Sequence, residues 1–115
     1  QIEFHPGWAH LDVVEYCLKN EIIPEAWSPM ARSGALSNET LISLAEKYGK
    51  TPAQICLRWV LQHGLRPIPK SVTPSRMAEN LDIYDFIIEA TDMAAIDALE
   101  NCGGSCHNPD TIELY

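Results

Sequence analysis

Three short extended runs, at residues 1–4, 22–27 and 65–70, each give way to helical periodicity, and that alternation constrains the fold more than any other feature. Strands separated by helices pair in parallel through crossover connections, which is an α/β layout. The predicted order is strand, helix, strand, helix, helix, strand, helix, helix. Leu11, Val14 and Leu18 repeat at helical spacing, with Asn20 as a stop. A second helix is expected over 39–48, where Leu41, Leu44, Ala45 and Tyr48 share a face and Gly49 ends it. The third has an explicit start: Thr51 caps, Pro52 fits the first helical position, and Gln54 completes a capping box. Thr73-Pro74 repeats the cap-plus-proline signal for a helix reaching Leu81. Thr91 is read as the cap of a last helix through Met93, Ile96 and Leu99, closed by Gly103-Gly104. Residues 83–88 are apolar but of either type, and the tail from Ser105 reads as loop. Pro24, Pro67 and Pro69 fit poorly in central strands, because proline donates nothing to a ladder.

The chain of 115 residues is 46% hydrophobic and 21% charged, values of a single soluble globular domain, here residues 1–115. No apolar run approaches the roughly 18 residues that cross a bilayer. No basic stretch leads into an apolar one, so no secretory signal is visible and the reading is cytoplasmic. Gln1 opens the chain inside a strand pattern without an initiator methionine, as a piece of a longer protein would. The net charge of −8 argues against nucleic acid and anionic membrane as partners.

Charge is unevenly placed. Residues 47–78 contain no Asp or Glu, yet hold Lys47, Lys50, Arg58, Arg66, Lys70 and Arg76. Two readings stand: cations scattered over solvated helix faces, or a site for a small, highly charged anion. Among the cysteines, Cys17 and Cys56 fall in apolar helical patterns as buried thiols, while Cys102 and Cys106 lack the spacing of a metal or haem site and read as loop cysteines.

Ligands of parallel α/β folds gather at the carboxyl ends of strands. Lys70, Ser71 and Thr73 stand there, before a helix whose first turn offers unpaired amides, and Arg76 projects from the same mouth. That combination suits a phosphate group; a plain helix cap flanked by solvated cations is the other reading. Trp27 ends a strand and offers either a stacking face or, like Trp8 and Trp59, a core residue. His5 has no assignable carboxylate partner and reads as structural. No G-x-G-x-x-G, P-loop, G-x-S-x-G or H-E-x-x-H motif occurs.

Several blocks together resemble the aldo-keto reductases. They are Gln1-Ile2-Glu3-Phe4-His5-Pro6, Ala26-Trp27-Ser28-Pro29, Lys47-Tyr48-Gly49-Lys50-Thr51-Pro52-Ala53-Gln54 and Leu57-Arg58-Trp59. The run from Ile68-Pro69-Lys70-Ser71 through Glu79-Asn80 is the most specific, and Asp92-Met93, Gly103-Gly104 and Pro109-Asp110 close the pattern. The Ala-Trp-Ser-Pro wording is most similar to the bacterial branch related to diketogluconate reductases. The resemblance implies the C-terminal part of a (β/α)8 TIM barrel, with about three parallel strands and crossover helices. It implies NADPH (NADP+) as cofactor and a small-molecule carbonyl substrate for the full-length protein.

Carried over residue by residue, Gln1 matches the glutamine that bonds the nicotinamide carboxamide, and Trp27 the aromatic residue that stacks under its ring. Ser28 and Met30 match the loop along the pyrophosphate, with Arg32 and Ser33 as additions. Lys70, Ser71, Val72, Thr73 and Arg76 match the pocket for the adenosine 2′-phosphate, and Glu79 and Asn80 the adenine contacts. Two departures stand out: Met30-Ala31 replaces the usual Leu-Gly, and Pro67 interrupts a strand that is usually β-branched. The family's catalytic aspartate, tyrosine, lysine and histidine lie upstream of Gln1. None of Tyr16, Tyr48, Tyr84 or Tyr115 matches the tyrosine, so no catalytic residue is assigned here.

Three functions are therefore weighed: part of an NADPH-linked carbonyl reductase, a non-catalytic nucleotide-binding or assembly module, and an inactive remnant. Open strand edges and an exposed apolar inner face lead to the expectation that the isolated chain self-associates or pairs with a missing N-terminal half.

Overall fold

The computed structural model describes residues 1–108 and 111–112; Pro109, Asp110 and Tyr115, which entered the sequence reading, lie outside the described residues. Strand β1 (Ile2–Glu3) is followed by α1 (Leu11–Lys19), β2 (Glu25–Trp27), a 3₁₀ segment (Ala31–Ser37), α2 (Glu39–Tyr48), α3 (Pro52–Gln62), β3 (Arg66–Ile68), α4 (Pro74–Leu81) and α5 (Ala90–Asp97). The sheet order is β1-β2-β3, all parallel, with Ile2 opposite Ala26, Glu3 opposite Trp27, and Ala26 opposite Pro67. The α/β alternation expected from sequence is the one observed.

Helix starts follow local chemistry where that chemistry is strong. The Asn38 side chain accepts from the amides of Thr40 and Leu41 to open α2, and Gly49 closes it in the left-handed region, φ 63°. The Thr51 and Gln54 capping box forms in full at the head of α3. Several boundaries differ from expectation: β1 and β3 are shorter than the extended runs, and α5 ends at Asp97, short of Leu99. β2 begins only at Glu25, and Ile22 and Ile23 are half exposed, because Glu21 turns into the left-handed region and Pro24 precedes the ladder. Helix α5 starts at Ala90 with Glu89 as its N-cap, so Thr91 lies inside the helix. Its start is set by tertiary contact: the Glu89 amide donates to the Tyr48 hydroxyl at 2.8 Å.

Pro67 is tolerated because the main-chain groups of a strand alternate sides. The Arg66 amide donates to the Pro24 carbonyl at 3.0 Å, so the missing donor of Pro67 falls on the side away from β2.

Helix α3 is the centre of packing, with Ile55, Cys56, Leu57, Trp59 and Val60 all fully buried. Phe4 stacks on Trp59 with centroids 4.8 Å apart and planes at 15°, and the Trp59 indole donates to Asp97 at 2.8 Å. Trp59 is therefore a core residue. Sheet pairing places Ile2, Ala26 and Pro67 on the face of Phe4, toward the helices, and Glu3, Trp27 and Ile68 on the opposite face. That opposite face also carries Glu25 and Arg66 at paired positions, so it is mixed in polarity where the sequence led us to expect an apolar surface.

The candidate dinucleotide groove

The cofactor-site candidates line three cavities: Trp27 and the residues of the 28–33 and 70–80 segments follow the carboxyl ends of β2 and β3, whereas Gln1 stands at the amino end of β1, beside Glu25. The first, about 500 Å³, is lined by Gln1, Trp27, Glu3, Trp8, His10 and His107 among others. The second, about 320 Å³, is lined by Ser28, Pro29, Met30, Arg32, Ser33, Ile68 and Lys70. The third, about 530 Å³, gathers Met30, Ser33, Lys70, Ser71, Val72, Thr73, Arg76, Glu79 and Asn80, with Leu36 and Ala53. Met30, Ser33 and Lys70 are shared by the second and third, and Trp27 and Ser28 are neighbours in sequence joining the first to the second. Together the cavities trace a groove from Trp27 to Arg76.

The floor of its middle is a strained loop. Ser28, Ala31, Arg32 and Ser33 all have positive φ, at 53°, 52°, 53° and 73°. Such backbone costs roughly 1 kcal/mol or more per non-glycine residue and persists only where surroundings impose it. Here the Ser28 carbonyl accepts from the Ala31 amide at 2.9 Å and the Ser28 hydroxyl from the Arg32 amide at 3.1 Å. Ala31, in place of the glycine that this conformation favours, is held with its methyl group buried.

At the α4 end, the Thr73 side chain makes no capping bond, and the Ser71 hydroxyl instead accepts from the Thr73 amide at 3.1 Å. The expected Thr73 cap is thus positional only, and the first turn of α4 is left without a side-chain acceptor. Lys70 and Arg76 border that turn. Glu79 has a structural engagement as well: its carboxylate accepts from the Thr51 hydroxyl at 2.7 Å. At the other end the Gln1 amide nitrogen donates to Glu25 at 2.8 Å, leaving its oxygen as an acceptor.

The acid-free stretch resolves into two populations. Lys47 pairs with Glu89 and Asp92, Lys50 pairs with Asp82 and Asp85, and Arg58 donates to the Ile83 carbonyl. The hydrogen bond from Lys47 holds the Asp92 carboxyl below the usual range, and that from Lys50 does the same for Asp85. Of the six cations, Lys70 and Arg76 border the third cavity, while Lys47, Lys50 and Arg58 are engaged by residues 82–92, so the run along the chain combines two different settings.

What sequence reasoning missed is the tethering role of Gln54, Arg58 and Gln62, spaced four apart on α3. Gln54 donates to the Glu79 and Asp82 carbonyls at 3.1 and 3.0 Å. Arg58 donates to Ile83, and Gln62 both donates to the Ile88 carbonyl at 2.9 Å and accepts from its amide at 2.8 Å. This ladder carries the 82–88 connection, which is neither strand nor helix, and fixes the end of α4. The four-residue polar spacing was its only sequence signal. His5 also differs from expectation: a carboxylate, Glu3, lies 3.4 Å from its Nε2.

The family model for the aldo/keto reductase family matches residues 1–101. The chain is 45% identical over 112 residues to a glyoxal reductase of Bacillus subtilis, covering 97% of this chain and 41% of that protein. It is 44% identical over 102 residues to the methylglyoxal reductase DkgA of Escherichia coli, covering 87% and 37%. Among solved structures, a Gox0644 variant in complex with NADPH superposes with a TM-score of 0.87 at 42% identity, over 98% of this chain and 42% of that one. The aldo-keto reductase MGS-M4 gives 0.88 at 34% identity, over 98% and 43%. The chain belongs to the aldo/keto reductase family, and its three parallel β/α units are a portion of the (β/α)8 barrel. It spans about two fifths of the length of the relatives it matches.

Proposed function

We propose that the protein carrying this chain is an NADPH-dependent reductase of aldehydes or ketones, and that residues 1–115 supply its dinucleotide groove. The observation that carries the proposal is that the second and third cavities share Met30, Ser33 and Lys70, while Trp27 of the first is followed directly by Ser28 of the second. The groove has a flat aromatic side chain and an amide at one end, Trp27 and Gln1. At the other it has two cations beside a helix start without a side-chain cap. That donor set fits a nicotinamide dinucleotide bearing an extra phosphate: Lys70, Arg76 and the α4 amides for the 2′-phosphate, with Ser71, Val72 and Thr73 shaping its pocket. Ser28, Met30 and Arg32 lie where the pyrophosphate would run, and Glu79 and Asn80 where adenine would end. When bound, NADPH supplies hydride to a carbonyl carbon.

The chain's own contribution is binding and orientation. Its described tyrosines stand apart from the groove, Tyr48 being committed to Asp92 and Glu89. No catalytic residue is assigned among them.

Being two fifths of a barrel, the chain by itself is expected to self-associate or to pair with the remainder. Exposed Leu11, Val13 and Tyr16 on α1 and Met77 and Leu81 on α4 support this. A dilute, cooperative monomer in sedimentation would contradict it. The catalytic proposal is tested by following NADPH consumption with glyoxal and methylglyoxal, using the protein that carries residues 1–115. Turnover with NADPH supports it; nucleotide binding without turnover of any aldehyde or ketone would favour a non-catalytic module.

A further inference from the structure

The Glu3 side chain is buried, 5% exposed, between Ile2 and Phe4 in sequence. A buried carboxylate is costly unless its oxygens are hydrogen-bonded. Here the partners are backbone amides from the far end of the chain: Ser105 donates to Oε1 at 2.6 Å and Cys106 to Oε2 at 3.0 Å. His5 is the other polar group nearby, but it forms no hydrogen bond with Glu3. Its Nδ1 donates to the Pro6 carbonyl at 2.9 Å, and Nε2, 3.4 Å from Glu3 Oε1, is buried without a hydrogen bond. The tail amides therefore satisfy the carboxylate.

The approach is also close by design of sequence. A Cβ on Gly104 would lie 2.3 Å from His5 Nε2 and 2.8 Å from Glu3 Oε1. Upstream, the segment threads between the loops that follow β1 and β2: a Cβ on Gly7 would meet the Cys102 nitrogen at 2.8 Å, and one on Gly34 the Cys102 oxygen at 2.3 Å. Directly after the anchored amides, His107 lines the same cavity as Gln1 and Trp27.

We propose that Glu3 is a positioning residue, a buried latch that seats residues 104–106 and thereby fixes His107 as a wall of the cavity beside Trp27. Two acceptor oxygens hold two successive amides, so the segment is clamped in direction as well as in place. The kinetic consequence rests on the reductase reading: carbonyl compounds approaching Trp27 meet that wall, so releasing it loosens substrate binding more than it slows chemistry.

The test uses Glu3→Gln, which removes the charge and one acceptor, and Gly104→Ala, which pushes the segment away with Glu3 intact. Hydrogen exchange is read at Ser105 and Cys106, with the Phe4 and Arg66 amides as references within the sheet. Both variants should speed exchange at the tail amides about tenfold or more while the references hold. In the full-length reductase KM for the carbonyl substrate should rise about threefold or more with kcat little changed. Unchanged tail protection in Gly104→Ala, or equal loss at tail and sheet in both variants, overturns the latch whatever the activity. Faster tail exchange with unchanged KM retains the latch and removes its role as a cavity wall. If the unmutated protein turns over no carbonyl compound, the reductase reading fails and the exchange data alone decide the latch.

Discussion

The side-chain amide of Gln54 donates to the Glu79 carbonyl at 3.1 Å, tying the head of α3 to the tail of the helix that carries Arg76. The same side chain accepts from the Thr51 amide at 3.0 Å and donates to the Asp82 carbonyl, so a single residue serves as helix cap and helix tether.

Replacing Gln54 with Ala therefore strands buried carbonyls as well as losing a cap. We expect a loss of about 2–4 kcal/mol in unfolding free energy, by urea denaturation. Gln54→Glu keeps the oxygen that caps but loses the donor that tethers, and should recover only part of that loss. Full recovery would show that the contacts to Glu79 and Asp82 contribute nothing.

The loop below the groove makes an opposite prediction. Ser33 is exposed and sits at φ 73°, ψ −2°. Ser33→Gly should stabilise the fold by about 0.5 kcal/mol, the left-handed penalty of roughly 1–2 kcal/mol less the added flexibility of the unfolded chain. An unchanged m value with a higher urea midpoint is the expected signature.

The dependence on pH has two limbs. Asp92 is held low first by its hydrogen bond from Lys47 and then by that from Tyr48. Its contribution is present above the ordinary carboxylate range, near pH 4, and is lost as pH falls through the depressed value. Burial pushes the Cys56 thiol up to about 12 and, together with Asp92, raises the Tyr48 phenol. Those contributions are intact below the ordinary thiol and phenol values, about 8.5 and 10, and are lost as pH rises through the raised ones. Melting temperature should therefore plateau from about pH 5 to 8 and fall on both sides, and Cys56→Ala should soften the alkaline fall. An alkaline limb identical in Cys56→Ala would contradict this.

What the sequence revealed and concealed follows from the range of the interactions. Thr51, Pro52 and Gln54 act within one turn, so the start of α3 is legible, as is its end near Gly64. Ile22 and Ile23 have the composition of a strand but stop short of the ladder, because Pro24 stands at its entrance. The cations Lys47, Lys50 and Arg58 find partners 25 to 45 residues away, which linear charge counting cannot see. Thr91 looks like a cap, yet Tyr48 starts α5 earlier by holding Glu89. Part of the proposed groove had local signals: Trp27 through Arg32 follow the end of β2, and Lys70 to Arg76 lead into the helix announced by Thr73-Pro74, whereas the roles of Gln1, Glu79 and Asn80 rest on the family resemblance. The convergence of these segments through Met30 and Ser33 needed the fold, since the turn at Ala31 runs through left-handed backbone that residue types there do not advertise.

The most direct measurement is the ratio of dissociation constants for NADH and NADPH, by quenching of tryptophan fluorescence in the protein that carries this chain. The unmutated protein should prefer NADPH. Lys70→Ala and Arg76→Ala should each reduce that preference about tenfold by weakening NADPH alone, while Lys50→Ala, which removes a cation committed to Asp82 and Asp85, leaves the ratio unchanged. Equal affinity for the two dinucleotides in the unmutated protein, or an equal effect of Lys50→Ala and Lys70→Ala, would contradict the assignment of the groove.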